Sequence, residues 1–263
     1  MKRETTGEVF YQEKVSENSY RLVLKTEKQV VEEAQPGQFI HLKINECSDP
    51  LLRRPFSIHQ VNRKQKTLTI LYAVVGVGTR IMAAELPGKH VNLLGPLGTG
   101  FPSLPEIKKI TLVGGGLGAA PLLFAAEHYF REGKQITVIL GFPTKADVML
   151  LHDFERAGAE VIVATDDGSQ GFKGFPTAIL EQRINSKIEE TVFACGPRMM
   201  LQKTTEICQS AGVPAWLSME ERMACGVGAC LGCVVRIRDN EGSHYEKACV
   251  DGPVFEASKV VFE

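Results

Sequence analysis

The sequence has no excess of charge of either sign. Its 30 Lys and Arg residues balance 31 Asp and Glu residues, which leaves a formal net charge of −1. We therefore expect no nucleic-acid partner and no binding to an anionic membrane surface. No apolar run reaches the about 18 residues that would predict a transmembrane helix. The opening MKRETTGEVF lacks the apolar segment of a secretory signal, so the expected location is cytoplasmic.

Histidine pairs at metal-binding spacing are also lacking. The six histidines are scattered, and none lies within four residues of another. We find no Ser/His/Asp set and no paired carboxylates that would support hydrolytic chemistry. These absences argue against a histidine metal centre and against a hydrolase.

Cysteine is the residue type that carries chemistry here. Four of the seven cysteines follow the spacing C-x4-C-x2-C-x15-C: Cys225, Cys230, Cys233 and Cys249. This is the plant-type ferredoxin spacing, in which four thiolates hold a [2Fe–2S] cluster. Gly226, Gly228 and Gly232 let the loop curl closely around such a group.

Two other interpretations of these cysteines stay open at this point. A structural zinc site prefers two close cysteine pairs, whereas Cys249 stands alone. Disulfides would need an oxidising compartment. Of the remaining cysteines, Cys47 and Cys208 are expected to be small buried hydrophobic residues.

The pattern of elements predicts a multi-domain β plus α/β protein. Residues 1–102 contain short strands, such as YRLVLK, FIHLKI and TLTILY, which indicate an antiparallel β-barrel. Residues 103–215 alternate apolar strands with helices, which predicts a parallel sheet covered on both faces. The stretch GPLGTGFPSLPE connects these parts. Residues 216–263 form the third domain, with the four spaced cysteines.

A glycine-rich loop follows the first strand of the predicted parallel sheet. Gly114, Gly116 and Ala119 match G-x-G-x-x-A, and a helix comes next. Such a loop lets a pyrophosphate approach the backbone and a helix N-terminus. The acidic residue expected after the second strand is missing, because Gly-Phe-Pro occupies 141–143. The loop alone is therefore also compatible with a merely structural turn.

A series of motifs resembles the ferredoxin–NADP⁺ reductase superfamily. RRPFSI, GVGT, GPLGTGF, GGGLGAAP and ACGP occur in that superfamily in the same order. The C-terminal EERMACGVGACLGC and KACVDGPVFEASKVVF resemble the electron-transfer subunits of type B, NAD-dependent dihydroorotate dehydrogenase. This resemblance spans essentially the whole chain. It implies FAD on the barrel, NAD on the α/β domain and a [2Fe–2S] cluster at the C-terminus.

The resemblance also implies roles for individual residues. Arg54 would face the flavin's phosphate, Phe56 would pack against the cofactor, and Ser57 would bond to its ring. Phe56 replaces a tyrosine found in many members, so a hydroxyl contact is lost. The implied FAD residues are Arg54, Pro55, Phe56, Ser57, Ile70, Leu71, Tyr72, Gly78 and Thr79. Taken alone, an arginine is usually a surface cation and a phenylalanine usually a core residue.

The implied nucleotide residues lie on two loops. They are Gly115, Gly116, Gly118 and Gly196. Cys195 would stand near the nicotinamide and align hydride transfer, although in isolation it is equally a buried thiol. Arg is absent between Glu132 and Glu155, which favours NAD over NADP because a 2′-phosphate usually needs an arginine.

The resemblance implies a partner as well. An FMN-containing dihydroorotate dehydrogenase catalytic subunit would exchange electrons with this chain, in a heterotetramer of two catalytic and two electron-transfer subunits. A related flavin/iron–sulfur subunit, of a ferredoxin:NADP⁺ oxidoreductase or sulfide dehydrogenase, is the alternative. That group often has Asp as the first cluster ligand, so Cys225 favours the dihydroorotate type. A redox-sensing regulatory protein is an alternative from another class.

Overall fold

The N-terminal part of the chain is a closed barrel. The computed structural model describes residues 4–44, 49–186 and 190–262, so the expectation for Cys47 lies outside the described residues. The barrel strands are β1 (Glu4–Lys14), β2 (Ser19–Lys25), β3 (Phe39–Lys43), β4 (Arg54–Asn62), β5 (Thr67–Ala73) and β6 (His90–Leu97). They pair antiparallel in the order β1-β2-β5-β4-β3-β6. Two short helices, α1 (Lys28–Glu33) and α2 (Val77–Ala83), lie in the connections.

The central part is a sheet with helices. Its elements are β7 (Lys109–Gly115), α3 (Ala120–Arg131), β8 (Gln135–Phe142), α4 (Leu151–Arg156), β9 (Glu160–Thr165), β10 (Phe172–Lys173), α5 (Pro176–Asn185), β11 (Thr191–Cys195), α6 (Arg198–Ala211) and β12 (Ala215–Ser218). The strands run parallel in the order β10-β9-β8-β7-β11-β12. They are apolar and buried because helices cover both faces, as expected for a parallel sheet.

The C-terminal part joins the other two. A hairpin of β13 (Val234–Asp239) and β14 (Gly242–Lys247) follows the cysteine loop, and β15 (Val254–Glu256) pairs antiparallel with β12. β15 thereby becomes the seventh strand of the central sheet. The Thr99 N–H donates to the Gly252 carbonyl at 2.6 Å. The division at 102/103 and 215/216 stays a prediction.

Helix α3 packs the barrel against the sheet. Phe124 on this helix belongs to the barrel core, whereas Leu122 belongs to the sheet core. His59 on β4 donates from Nδ1 to the Ala120 carbonyl at 2.7 Å. Arg21 on β2 contacts the Asp153 carboxylate at 2.6 Å. Because α3 is apolar on both faces, it buries surface against two layers at once.

The predicted fold class is confirmed: an antiparallel barrel precedes a parallel α/β sheet and a cysteine-rich end. The second helix of the sheet domain, α4, covers only the six residues Leu151–Arg156. It begins only at Leu151, because Leu150 has a left-handed backbone (φ 68°) and a separate turn covers Lys145–Asp147. In the described part of the chain, no helix is long and apolar enough to cross a membrane.

Candidate redox site

A cavity of about 430 Å³ opens between the barrel and the sheet. Eight of the residues expected to bind FAD line it: Arg54, Pro55, Phe56, Ser57, Leu71, Tyr72, Gly78 and Thr79. Ile70 does not, because its side chain is fully buried in the barrel core. The structure thus gathers the motif residues of β4, β5 and α2 on one wall, and leaves Ile70 behind that wall.

Aromatic rings give this cavity an apolar side. Phe56 lies edge-on to Tyr72, with ring centroids 5.8 Å apart, and Tyr20 stacks on the same tyrosine at 5.8 Å. The Tyr72 hydroxyl donates to the Gln12 side chain at 2.9 Å. Burial raises the pKa of Tyr72, so its hydroxyl stays protonated. A planar aromatic ligand would meet rings that are already held in place.

A cation and an ordered turn form the polar end of the cavity. The Arg54 guanidinium donates to the Leu52 carbonyl. A Cβ on Gly78 would lie 3.4 Å from Arg54 Nε, an ordinary contact distance, so the Gly78 backbone lies beside the guanidinium. Thr79 Oγ1 accepts from the N–H groups of Val75 and Gly76 at 3.0 and 3.1 Å. The site therefore pairs a positive charge with open backbone, a combination that fits a phosphate ester.

A second cavity, of about 420 Å³, lies at the carboxyl edge of the sheet. All four glycines expected to bind the nucleotide line it: Gly115, Gly116, Gly118 and Gly196. Gly116 has φ +53° and open space where a side chain would be. A Cβ on Gly115 would come within 2.7 Å of Pro197 Cδ. This is a cradle of bare backbone, as a diphosphate requires.

Cys195 lies behind these cavities. Its side chain is fully buried in the core of the sheet, and it lines neither cavity. Burial, with a smaller contribution from the charge of Glu220, raises the pKa of the thiol. Cys195 pairs with Ser218 on the neighbouring strand, and Ser218 does line the first cavity. The thiol is therefore placed one side chain away from the first cavity.

Glu220 is the functional candidate that sequence reasoning missed. It lines both cavities, together with Leu117 and Met219. Burial raises the pKa of its carboxyl group. One signal was available: Glu220 lies two residues after a strand that runs toward the carboxyl edge of a parallel sheet, where ligands of such sheets bind.

The four spaced cysteines come together as two pairs. The thiol of Cys225 lies next to that of Cys230, and the thiol of Cys249 lies next to that of Cys233. Cys233 and Cys249 are buried, Cys225 is half-buried and Cys230 is exposed. Within 4–44, 49–186 and 190–262, no group of three His, Cys, Asp or Glu side chains is arranged to hold one metal ion. Four thiols in two pairs are compatible with the four-cysteine ligand set of a [2Fe–2S] cluster.

Backbone amides support the thiolate form at the exposed pair. The Val227 N–H donates to Cys225 Sγ at 3.4 Å and, with smaller contributions from neighbouring groups, lowers the pKa of that thiol to about 6. Burial raises the pKa of Cys249 to about 12. A buried thiol of this kind becomes a thiolate only when a metal compensates the charge. All six cysteines in the described residues are free thiols, so no disulfide competes there.

One segment connects the three sites. Residues 218–221 and Met223 line the first cavity, Met219 and Glu220 also line the second, and Cys225 follows two residues after Met223. The first cavity consequently adjoins the second at Met219 and Glu220, and the cysteine loop begins two residues after its lining residue Met223.

A closed antiparallel barrel, a nucleotide-type parallel sheet and an adjoining cysteine loop define a ferredoxin reductase-like oxidoreductase. An oxidoreductase NAD-binding domain family matches residues 112–206. The iron–sulfur cluster binding domain of dihydroorotate dehydrogenase B matches residues 220–261.

Whole-chain comparisons give the particular family. The dihydroorotate dehydrogenase B (NAD(+)) electron transfer subunit of Desulforamulus reducens is 42% identical over 88% of this chain and 88% of its own length. The subunit of the same name from Geobacillus kaustophilus is 44% identical over 94% of each. The chain belongs to the family of dihydroorotate dehydrogenase B electron transfer subunits, as the sequence motifs predicted.

A solved structure extends the comparison to the fold. It is described as an NADH-dependent reduced ferredoxin-NADP oxidoreductase. It is 27% identical and has a TM-score of 0.85, over 97% of this chain and 89% of that one. Both the barrel–sheet arrangement and the C-terminal part are therefore shared with an electron-transferring reductase.

Proposed function

We propose that this chain passes electrons between an FMN-containing dihydroorotate dehydrogenase catalytic subunit and NAD⁺ through a [2Fe–2S] cluster and FAD, in pyrimidine biosynthesis. The observation that carries the proposal is the order of the sites. The wall segment 218–223 borders both cavities and leads directly into Cys225. A flavin in the first cavity would adjoin the nucleotide at Met219 and Glu220 and would lie next to the segment that leads into the cysteine loop.

The cofactors are FAD, NAD and a [2Fe–2S] cluster. When bound, FAD supplies two-electron hydride exchange with NAD and one-electron exchange with the cluster. The chain's own contribution is binding and alignment. Arg54 binds the flavin's phosphate by charge-assisted bonds, and Gly78 and Thr79 offer backbone beside it. Phe56 and Tyr72 pack against the ring system, whereas Ser57 bonds to its polar edge.

The nucleotide loops hold NAD toward that ring. Gly115, Gly116 and Gly118 present backbone N–H groups to the diphosphate, and Gly196 leaves space beside them. Glu220 stands at the junction of the two cavities and orients the nicotinamide against the flavin. Cys195 acts from behind the cavity wall, through Ser218, as a positioning residue.

The cluster faces the partner through its exposed cysteine pair. Cys233 and Cys249 are buried, whereas Cys230 lies at the surface between Val227 and Leu231, which are 42% and 63% exposed. Exposed apolar side chains around a redox group suit a protein partner that must come close. We place the FMN-containing catalytic subunit on this surface. The proposed assembly holds two subunits of each kind and works in the cytoplasm.

The test is an anaerobic pull-down of the full chain from its native cell. The eluate is assayed for dihydroorotate-dependent reduction of NAD⁺. A stoichiometric FMN-containing partner together with this activity is the expected result. A different partner without the activity would overturn the dihydroorotate assignment and leave an FAD/[2Fe–2S] reductase.

A related reductase subunit is the second candidate, favoured by the match to the ferredoxin-NADP oxidoreductase structure. In that case the eluate would reduce NADP⁺ or ferredoxin rather than NAD⁺ with dihydroorotate. A purely sensory role predicts no turnover at all, and NADH-driven reduction of an artificial dye by the purified chain would exclude it.

A further inference from the structure

A histidine is buried in the barrel wall between two apolar residues of the same strand. His41 lies on β3 between Ile40 and Leu42, and its side chain is fully buried. Among the described residues, neither ring nitrogen of His41 has a hydrogen-bond partner. A buried, unpaired imidazole is costly, because it has lost its water and gained nothing in exchange. Such a group requires an explanation.

The surroundings of His41 keep the ring neutral. Burial, with smaller contributions from the charges of Arg53 and Arg54, lowers the pKa of His41 to about 4. The Phe39 ring lies edge-on to it, with centroids 6.4 Å apart. A neutral imidazole has one N–H donor and one acceptor nitrogen. The structure therefore holds an imidazole N–H donor of His41 that is buried and makes no hydrogen bond.

That unused group faces the cysteine loop. A Cβ on Gly226 would come within 2.5 Å of His41 Nδ1, so the ring edge touches the residue that directly follows Cys225. Gly226 also has φ +68°, so both space and backbone conformation exclude a side chain there. The contact joins the barrel to the Cys225 end of the loop.

The second buried histidine of the barrel, His59, differs in having a hydrogen-bond partner. His59 donates from Nδ1 to the Ala120 carbonyl at 2.7 Å, which satisfies it at the contact between barrel and sheet. His59 therefore has a structural role between barrel and sheet, and a substitution there provides a matched control for His41.

We propose that His41 donates a hydrogen bond from Nδ1–H to a sulfur at the Cys225 end of the cluster, and that this bond raises the cluster's reduction potential. The proposal rests on the proposed function insofar as that function places a [2Fe–2S] cluster on these cysteines. Hydrogen bonds to cluster sulfurs are one of the means by which proteins set potentials. The bond favours the reduced cluster, because reduction places more negative charge on the sulfurs.

The first experiment is an anaerobic redox titration of the full chain with its cofactors bound. The EPR signal of the reduced cluster is recorded at each potential. His41→Leu removes the donor, whereas His41→Asn keeps an amide N–H near the Nδ1 position. A hydrogen bond to a charged acceptor is worth about a tenfold change in an equilibrium constant. For one electron this corresponds to about 59 mV. We expect His41→Leu to lower the potential by about this amount, and His41→Asn by less than about a third of it.

Controls separate this effect from a general disturbance. His59→Asn should leave the cluster potential unchanged, and the FAD potential measured in the same sample should stay constant in all variants. An unchanged cluster potential in loaded His41→Leu would overturn the proposal. An equal fall in the Leu and Asn variants would also overturn it, because the donor would then be irrelevant.

A second measurement on the wild-type chain does not depend on how well the variants fold. Histidine is labelled with ¹⁵N, and the reduced cluster is examined by pulsed EPR. We expect a weak coupling to one histidine nitrogen in the wild-type chain. An intact [2Fe–2S] signal without any histidine coupling would overturn this inference alone. Absence of the [2Fe–2S] signal itself would overturn the proposed function, and the inference with it.

Discussion

The Gly118→Ala substitution tests the nucleotide loop most directly. Gly118 lies outside the left-handed region of backbone conformation, so its glycine is required by space alone. A Cβ would lie 2.6 Å from both the Cys195 carbonyl carbon and Gly196 Cα. Both neighbours are backbone atoms of β11 and its loop, which cannot rotate away as a side chain would. The loop and the strand must therefore separate.

The size of the effect follows from this overlap. Overpacking of this kind costs about 1–3 kcal/mol of unfolding free energy. A loss of about 2 kcal/mol lowers the ratio of folded to unfolded protein by roughly 30-fold. The displaced loop amides also lose contact with the nucleotide diphosphate. One lost charge-assisted hydrogen bond, at about 1.5 kcal/mol, raises the KM for NADH by about tenfold.

Gly133→Ala is the matched control. Gly133 follows helix α3, has φ +81° and has no atom within 4 Å of a Cβ, so alanine there suffers only backbone strain. That strain costs about 1–2 kcal/mol. Denaturant unfolding and NADH-driven dye reduction are measured for both variants. We expect both to lose stability and only Gly118→Ala to raise KM. A folded Gly118→Ala with unchanged KM, or an equal rise in Gly133→Ala, would refute the reasoning.

Three further predictions concern the cluster, the cavity junction and the flavin. Cys230→Ser should abolish electron delivery to the partner while NADH still reduces FAD, and Cys208→Ala should keep the cluster; equal loss of flavin reduction with FAD bound would contradict the order of sites. Glu220→Gln should slow hydride transfer about tenfold in stopped-flow measurements, the effect of one lost charge-assisted contact. Because burial raises the pKa of Glu220, the wild type loses stability as pH rises through that pKa. Glu220→Gln should therefore be stabilised relative to the wild type at pH 8, and not below about pH 4, where folded and unfolded wild type are both protonated. A relative stabilisation of the variant that grows on acidification would contradict this prediction. Arg54→Ala should weaken FAD binding about 10- to 100-fold in a flavin titration, whereas Arg53→Ala should not, because Arg53 contacts Glu4 outside the cavity.

Much of the site was predictable because its motifs are local. The four spaced cysteines lie within 25 residues of one another, so their spacing alone predicts a [2Fe–2S] ligand set, which stays a prediction. The glycine loop adjoins the strand and helix that shape it, and RRPFSI occupies one strand of the barrel. Alternation of strands and helices likewise predicted the fold class, because the hydrophobic period is a property of each segment. The family resemblance, which the comparisons confirmed, likewise depended on short motifs that can be recognised in the sequence.

The remaining features depend on contacts between distant segments. Ile70 and Leu71 are neighbours in sequence, yet only Leu71 lines the cavity, because the Ile70 side chain is buried within the barrel core. Glu220 joins the nucleotide and flavin cavities because β12 pairs with β11 beside the glycine loop. His41 meets Gly226 across 185 positions of the chain because β3 of the barrel packs against the cysteine loop. Local chemistry, then, was determined by the sequence itself, whereas the placement of Glu220 and His41 was decided by tertiary packing, since the pairing of distant strands and loops leaves no periodic signal along the chain.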